Sequence, residues 1–266
     1  MKLYQVDSFT SVPFKGNPAG VCILEKFPDV SLMQSIAMEM NLSETAFVEM
    51  KEGVYKIRFF TPTEEVPLCG HATLASAHIL YELGIVPRDG EFTFKAQDTD
   101  LIISHENGWI KMNFPVYKVS KVALTSKYAE IIKVNPIEVY KSDNNWIVIR
   151  VGTEREVLDA RPDFEAIHRE SLGDIIAVTS FSDSPDYDFV VRVFCDPSSG
   201  ISEDPVTGSA NCILVPYWHE KSKKTQFRSK QISKRTGELV LELKNNRVDI
   251  SGQAKTIFII ETVSLP

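Results

Sequence analysis

Apolar and polar residues alternate through residues 2–9, the two-residue period of a half-buried strand, and 21–24 reads as its hairpin partner. Residues 13–20 between them are rich in turn formers. Ser31 stands where it can cap a helix running to about Met40, with Leu32, Ile36 and Met40 on one face. Residues 45–50 and 55–60 then read as strands. A loop, 61–68, leads into 70–83, whose small and apolar residues suit a buried helix ended by Gly84. Residues 92–95, 101–104 and 109–114 complete a set of strands.

The second half runs through the same order. Residues 146–151 predict a strand, 164–171 a helix, and 175–179 and 189–194 strands. A loop over 195–207, rich in Pro, Gly, Ser and Asp, leads into a second apolar helix starting at Gly208; strands at 226–229, 238–243 and 248–251 follow. Arg58-Phe59-Phe60, a loop and Gly70-His71-Ala72-Thr73 parallel Arg192-Val193-Phe194, a longer loop and Gly208-Ser209-Ala210-Asn211. The matching order points to a duplication. The expected domains are 1–117, with 254–266 as a returning strand, and 118–253; the pattern leaves strand 256–263 free to join either half.

Length and composition narrow the function. A chain of 266 residues with 43% hydrophobic and 24% charged residues can bury a large core. A net charge of −7, with no basic run longer than Lys221-Ser222-Lys223-Lys224, argues against a nucleic-acid partner. No 18-residue apolar run exists, and residues 1–7 lack the regions of a signal peptide, so a cytoplasmic protein with no membrane partner is expected. Cys22, Cys69, Cys195 and Cys212 show no paired spacing, and no two of the five histidines are spaced as ligands on one helix turn; neither disulfides nor a metal site is expected.

Each half contains a loop, a glycine and a buried helix. A helix N-terminus offers unpaired backbone N–H groups and the positive end of the macrodipole, and glycine there lets a ligand come close. Two such ends facing each other, at Gly70 and Gly208, would hold a carboxylate and an enolate-like charge; taken singly, each glycine only relieves crowding. Glu44 precedes an apolar strand, where partial burial would suit a carboxylate to acid/base work. By local physics alone it is a solvated loop acid or a helix-end cap. His71, in the first helical turn, would be kept neutral by the dipole, or it is a capping or core histidine. Asp204-Pro205 opens the second loop and is also an ordinary turn feature. Cys69 precedes the first helix and reads first as a small packed residue; its counterpart is Thr207, which excludes a symmetrical two-thiol mechanism.

Four blocks carry a resemblance: Val6-Asp7-Ser8-Phe9 with Gly16-Asn17-Pro18-Ala19-Gly20-Val21; Leu42-Ser43-Glu44-Thr45-Ala46-Phe47; Arg58-Phe59-Phe60-Thr61-Pro62 with Glu65-Val66-Pro67-Leu68-Cys69-Gly70-His71-Ala72-Thr73; and Glu203-Asp204-Pro205-Val206-Thr207-Gly208-Ser209-Ala210. In order and register, they resemble the phenazine-biosynthesis (PhzF-like) isomerase family over nearly the whole chain. The resemblance implies an α+β, diaminopimelate-epimerase-like fold. Its two pseudo-symmetric halves are each a mostly antiparallel sheet rolled around a central helix, with the site between them. It also implies a homodimer and no cofactor. In the family's best understood member a glutamate moves a proton between ring carbons of a dihydro-hydroxyanthranilate.

Carried over by motif, that glutamate is Glu44, with His71 and Asp204 as further catalytic residues. Gly70, Gly208 and Ser209 would bind a small carboxylate-bearing substrate. Epimerases and racemases of the same fold place a cysteine before each helix glycine, whereas here Thr207 fills the second place. The alternatives are amino-acid epimerisation using Cys69 and a binding protein without turnover.

Overall fold

The alternation at the start of the chain becomes β1 (Lys2–Ser8), which pairs antiparallel with β2 (Asn17–Leu24), Tyr4 opposite Val21. The turn between them requires glycine: Gly16 has φ +67°, and a Cβ there would lie 2.1 Å from the Ser8 carbonyl oxygen. The computed structural model describes residues 1–97 and 99–263. It divides into two units, Met1–Asn113 with the segment from Ser251 onward, and Phe114–Ile250. Both divisions fall inside strands, a few residues before the junctions expected from the sequence.

In the first unit, α1 (Val30–Met40) packs Met33, Ile36 and Ala37 against Leu3, Cys22, Phe47 and Phe60. Its N-cap is Asp29, with no side-chain cap bond, rather than the expected Ser31; the Ser31 carbonyl instead accepts the Ser35 hydroxyl inside the helix. β3 (Glu44–Lys51) runs parallel to β2 and antiparallel to β4 (Val54–Phe60). The two-residue β5 (Glu65–Val66) folds back on the end of β4, and α2 (Gly70–Glu82) follows. β6 (Phe92–Lys95), parallel to β4, continues into the antiparallel β7 (Asp100–Glu106) and β8 (Trp109–Pro115). α2 packs on β1, β2 and β3, and every residue from Gly70 to Ala77 is buried. Its hydroxyls cost nothing there, because Thr73 and Ser76 donate to the Cys69 and Ala72 carbonyls. The helix stops at Gly84, whose φ of +69° lets the chain turn away.

The second unit opens with elements that the sequence pattern left unassigned, as it also did Glu154–Asp159 and Glu203–Asp204 below: β9 (Val119–Val122), α3 (Ser126–Ile132) and β10 (Glu138–Ser142). β11 (Trp146–Arg150), α4 (Glu154–Asp159), α5 (Phe164–Arg169), β12 (Ile175–Phe181) and β13 (Phe189–Cys195) come next. The short β14 (Glu203–Asp204), α6 (Asn211–Ser222), β15 (Gln226–Gln231), β16 (Gly237–Lys244) and β17 (Arg247–Gly252) complete it. From β10 to β16 the pairing senses run antiparallel, parallel, antiparallel, parallel, antiparallel, the succession seen from β1 to β7. The strand left open by the sequence, β18 (Ala254–Glu261), joins the first unit on β1, just as β9 joins β10 in the second.

A second expectation is corrected. The second central helix starts at Asn211, not Gly208, because Gly208–Ala210 form a tighter turn with three-residue hydrogen bonds. The Asn211 amide donates to the Thr207 and Gly208 carbonyls and holds that turn. α6 also tolerates Pro216: the Cys212 carbonyl, which the proline cannot reach, accepts the Tyr117 N–H at 3.0 Å. Among the described residues no helix is long and apolar enough to cross a membrane.

Gly252 lies in contact with the central helix, where an added Cβ would stand 2.4 Å from Phe9 Cδ1 and 2.7 Å from Leu74 Cδ1. Both side chains are fully buried, so Gly252→Ala should destabilise the protein by about 1–3 kcal/mol in urea denaturation.

Candidate active site

Two backbone features place Glu44. Asn41 ends α1 in the left-handed region (φ 49°), its N–H donating to the Ala37 carbonyl, and β3 then opens with Glu44 opposite Ala19. Gly20 admits this close pairing, since a Cβ there would lie 2.8 Å from Thr45 Oγ1. On the next strands Arg58 grips Glu65 in a two-pronged ion pair, Nε–Oε1 2.7 Å and Nη2–Oε2 2.6 Å, with its guanidinium over the Phe60 ring. The clamp fixes the path from β5 to Gly70 and hence the start of α2.

His71 sits in the first turn of that helix, with its carbonyl accepting the Ser8 hydroxyl at 2.7 Å. Its Nε2 stands 3.2 Å from Glu44 Oε2, and Cys69 Sγ lies 3.4 Å from its Nδ1. Burial lowers the His71 pKa from 6.5 to about 3. The imidazole is therefore neutral near pH 7 even with a carboxylate beside it. The direction is the one expected from the helix dipole; the cause is loss of water. Glu44 keeps 18% of its side chain exposed, against 7% for His71. The first backbone bond into α2 is Thr73 N–H to the Cys69 carbonyl at 3.1 Å, so the Gly70, His71 and Ala72 N–H groups precede the helical ladder and favour negative charge.

This arrangement joins a carboxylate, a neutral imidazole and a thiol at the positive end of a buried helix. Their donor atoms lie within 4.8 Å of one another, close enough to hold a metal ion as well. Linear spacing gave no sign of that, because Glu44 comes from a different strand. The sequence reads Cys69 first as a packed residue, with epimerisation through its thiol as the alternative, and gives no sign of its contact with His71.

The second unit builds its own version. Arg192 grips Glu203 through Nε–Oε1 at 2.7 Å and Nη2–Oε2 at 2.9 Å, with its guanidinium over Phe194. A Glu-x-Pro-x-x-Gly spacing, Glu65 to Gly70 and Glu203 to Gly208, is the sequence signal for the paired clamps. Beyond this one, buried Asp204 accepts the Thr207 hydroxyl at 2.6 Å, and Gln231 takes the Thr207 N–H at 2.9 Å while donating to the Asp204 carbonyl. Asp204, Gly208 and Ser209 thus gather at one ordered turn, while Glu44, at the start of β3, comes beside His71 in the first turn of α2. Register shows the difference between the units. Phe60 stands opposite Thr45 and Glu65, and Phe194 opposite Ile176 and Glu203. The place of Glu44 is therefore taken by Ile175, and that of Asp204 by Val66.

Known proteins agree with this architecture. A family model described as "phenazine biosynthesis-like protein" matches residues 6–259. An uncharacterized isomerase of Halalkalibacterium halodurans is 42% identical, over 96% of each chain. A crystal structure of a PhzF-family phenazine biosynthesis protein from Enterococcus faecalis superposes with a TM-score of 0.92, at 37% identity and 97% coverage of both chains. A probable proline racemase of Agrobacterium radiobacter, only 11% identical, shares the fold with a TM-score of 0.64 over 98% of this chain and 92% of its own. The diaminopimelate-epimerase-like, α+β fold expected from the sequence is thereby confirmed.

The buried imidazole should be visible in stability. The unfolded chain binds the histidine proton near pH 6.5, the folded one only near 3, so the contribution is full above 6.5 and is lost as pH falls. The unfolding free energy of the wild type from urea titration should fall more steeply with falling pH than that of His71→Gln, by about 1.4 kcal/mol per pH unit between roughly 6 and 4.

Proposed function

The chain belongs to the phenazine biosynthesis-like protein family, and on that premise we propose that it is an isomerase acting by acid/base proton transfer on a small carboxylate-bearing substrate. Glu44 is the group that takes a proton from one carbon and returns it to another. The observation that carries this reading is the pairing of partly exposed Glu44 with a buried, neutral His71 at 3.2 Å. A neutral imidazole lines the carboxylate without placing a positive charge beside it. The backbone N–H groups at the start of α2 then face the negative charge that builds on the substrate as its carbon loses a proton. Moving a proton between two carbons is redox-neutral, so the proposed step calls for no redox cofactor.

In the second unit, Gly208 and Ser209 are proposed as anion-binding positions. Asp204, which accepts the Thr207 hydroxyl, is the group that orders their turn. Two-thiol epimerisation finds less support, since Thr207 stands where the second thiol would be. The relatives named isomerase, including the one from Halalkalibacterium halodurans, favour the same reaction class.

The test is solvent exchange. Incubated in D2O with a panel of amino acids, β,γ-unsaturated acids and cyclohexadiene carboxylates, the wild type should place deuterium on carbon in at least one compound. Glu44→Gln should slow that exchange by about 100-fold or more. Full exchange by Glu44→Gln would remove Glu44 from the role, and binding without exchange across the panel would remove the enzyme reading.

A further inference from the structure

Gln231, the last residue of β15, is only 1% exposed, and both ends of its amide are engaged. Its Oε1 accepts the Thr207 N–H at 2.9 Å, while its Nε2 donates to the Asp204 carbonyl at 2.6 Å and to Thr207 Oγ1 at 3.3 Å. An N–H on one side and a carbonyl on the other leave the amide a single orientation. The Thr207 hydroxyl donates in turn to Asp204 Oδ2 at 2.6 Å, so three residues close a ring of hydrogen bonds. Two residues beyond the strand, the Ser233 hydroxyl donates to the Pro205 carbonyl at 2.6 Å. The loop from Asp204 to Thr207 is thus pinned from the end of β15.

A brace belonging to the scaffold would recur in the first unit, and this one does not. Val190 pairs with Lys230 and Lys56 with Lys95, each four residues before the matching Phe194 and Phe60. The place of Gln231 is therefore taken by Ala96, whose side chain can make no such bonds, just as Val66 takes the place of Asp204. Brace and acid occur together. The Gly208, Ser209 and Ala210 N–H groups follow the braced loop directly and precede the first hydrogen bond of their turn, Asn211 N–H to the Gly208 carbonyl at 3.1 Å. We infer that Gln231 is a positioning residue: by closing the loop from Asp204 to Thr207 it fixes the Gly208 and Ser209 N–H groups where they meet a substrate carboxylate. This role rests on the reading of Gly208 and Ser209 as anion-binding positions.

The experiment is an NMR titration of the full-length protein with trifluoroacetate, a carboxylate that stays ionised throughout the pH range used. The Gly208 and Ser209 amide signals should move in the wild type. In Gln231→Met, which keeps the volume and loses both bonds to the loop, the Kd read from those signals should rise about tenfold, the worth of one lost hydrogen bond. Gln231→Glu separates positioning from packing. Ionised at about pH 8, its carboxylate accepts the Thr207 N–H but has nothing to donate to the Asp204 carbonyl, and Kd should again stand about tenfold above the wild type. Protonated at about pH 5, with burial favouring the neutral form, it offers one donor and one acceptor as the amide does, and the ratio to wild type should fall to about twofold. A folded Gln231→Met with the wild-type Kd would overturn the inference and leave Gly208 and Ser209 as anion binders. So would a Gln231→Glu ratio that stays the same at both pH values, even if the methionine variant did not fold. No response at Gly208 or Ser209 in the wild type would remove the anion-binding reading itself, and the role of Gln231 with it. Any compound that the exchange assay identifies supplies a second readout: Gln231→Met should raise KM about tenfold and leave kcat unchanged, and a fall in kcat at unchanged KM would overturn the inference.

Discussion

A helix that is buried from Gly70 through Ala77 imposes the conditions under which this site works. Its first residues must be small where the strands of the sheet come close, which accounts for glycine, alanine, serine and threonine around one histidine. Its N-terminal N–H groups cannot turn to bulk water, so they concentrate their positive end on whatever lies beside Gly70. The same burial strips water from His71 and lowers its pKa to about 3. Glu44 therefore has a neutral imidazole as its neighbour instead of a cation. The helix start must also be held in register. The Arg58–Glu65 clamp and the Ser8 hydroxyl on the His71 carbonyl do this from two different strands.

The duplication makes the specialisation legible. Both units carry an arginine–glutamate clamp, a glycine after it and a central helix, so these belong to the scaffold. What differs is the chemistry placed on it. The first unit has Glu44, Cys69 and His71; the second has Ile175, Thr207 and Ser209 in their places, with Asp204 where the first unit has Val66. Both places begin a strand whose next residues are buried, and both are themselves half-buried.

Much of this was legible in the chain, and the part that was not has a physical reason. Strands with strong alternation, such as β1 and β4, and the central helix from Gly70 were readable because period and small-residue content signal them directly. The start of α6 was misplaced by three residues because Gly208 matched Gly70 by motif, while the side chain of Asn211, which holds the intervening turn, acts through carbonyls that no pattern reveals. β9 was passed over because none of its residues is buried, and α3, β10 and α4 because each is short, with at most three buried residues among polar neighbours. Glu44 became a candidate only through its motif context. The neutral state of His71 could be expected from the helix end, but its complete burial and its contact with Cys69 arise from packing between β3 and α2.

The count of acid/base groups bears on the reaction. Inverting a stereocentre calls for one group to remove a proton from one face and another to supply it to the opposite face. In the second unit the place equivalent to Cys69 holds Thr207, whose hydroxyl is not a useful acid or base near neutral pH and is engaged by Asp204. A single carboxylate can still carry a proton between two carbons on one face of an unsaturated acid, because the group that removes it is then the group that returns it. A lone glutamate beside a neutral imidazole in a duplicated scaffold thus fits a shift of a double bond better than an inversion of configuration.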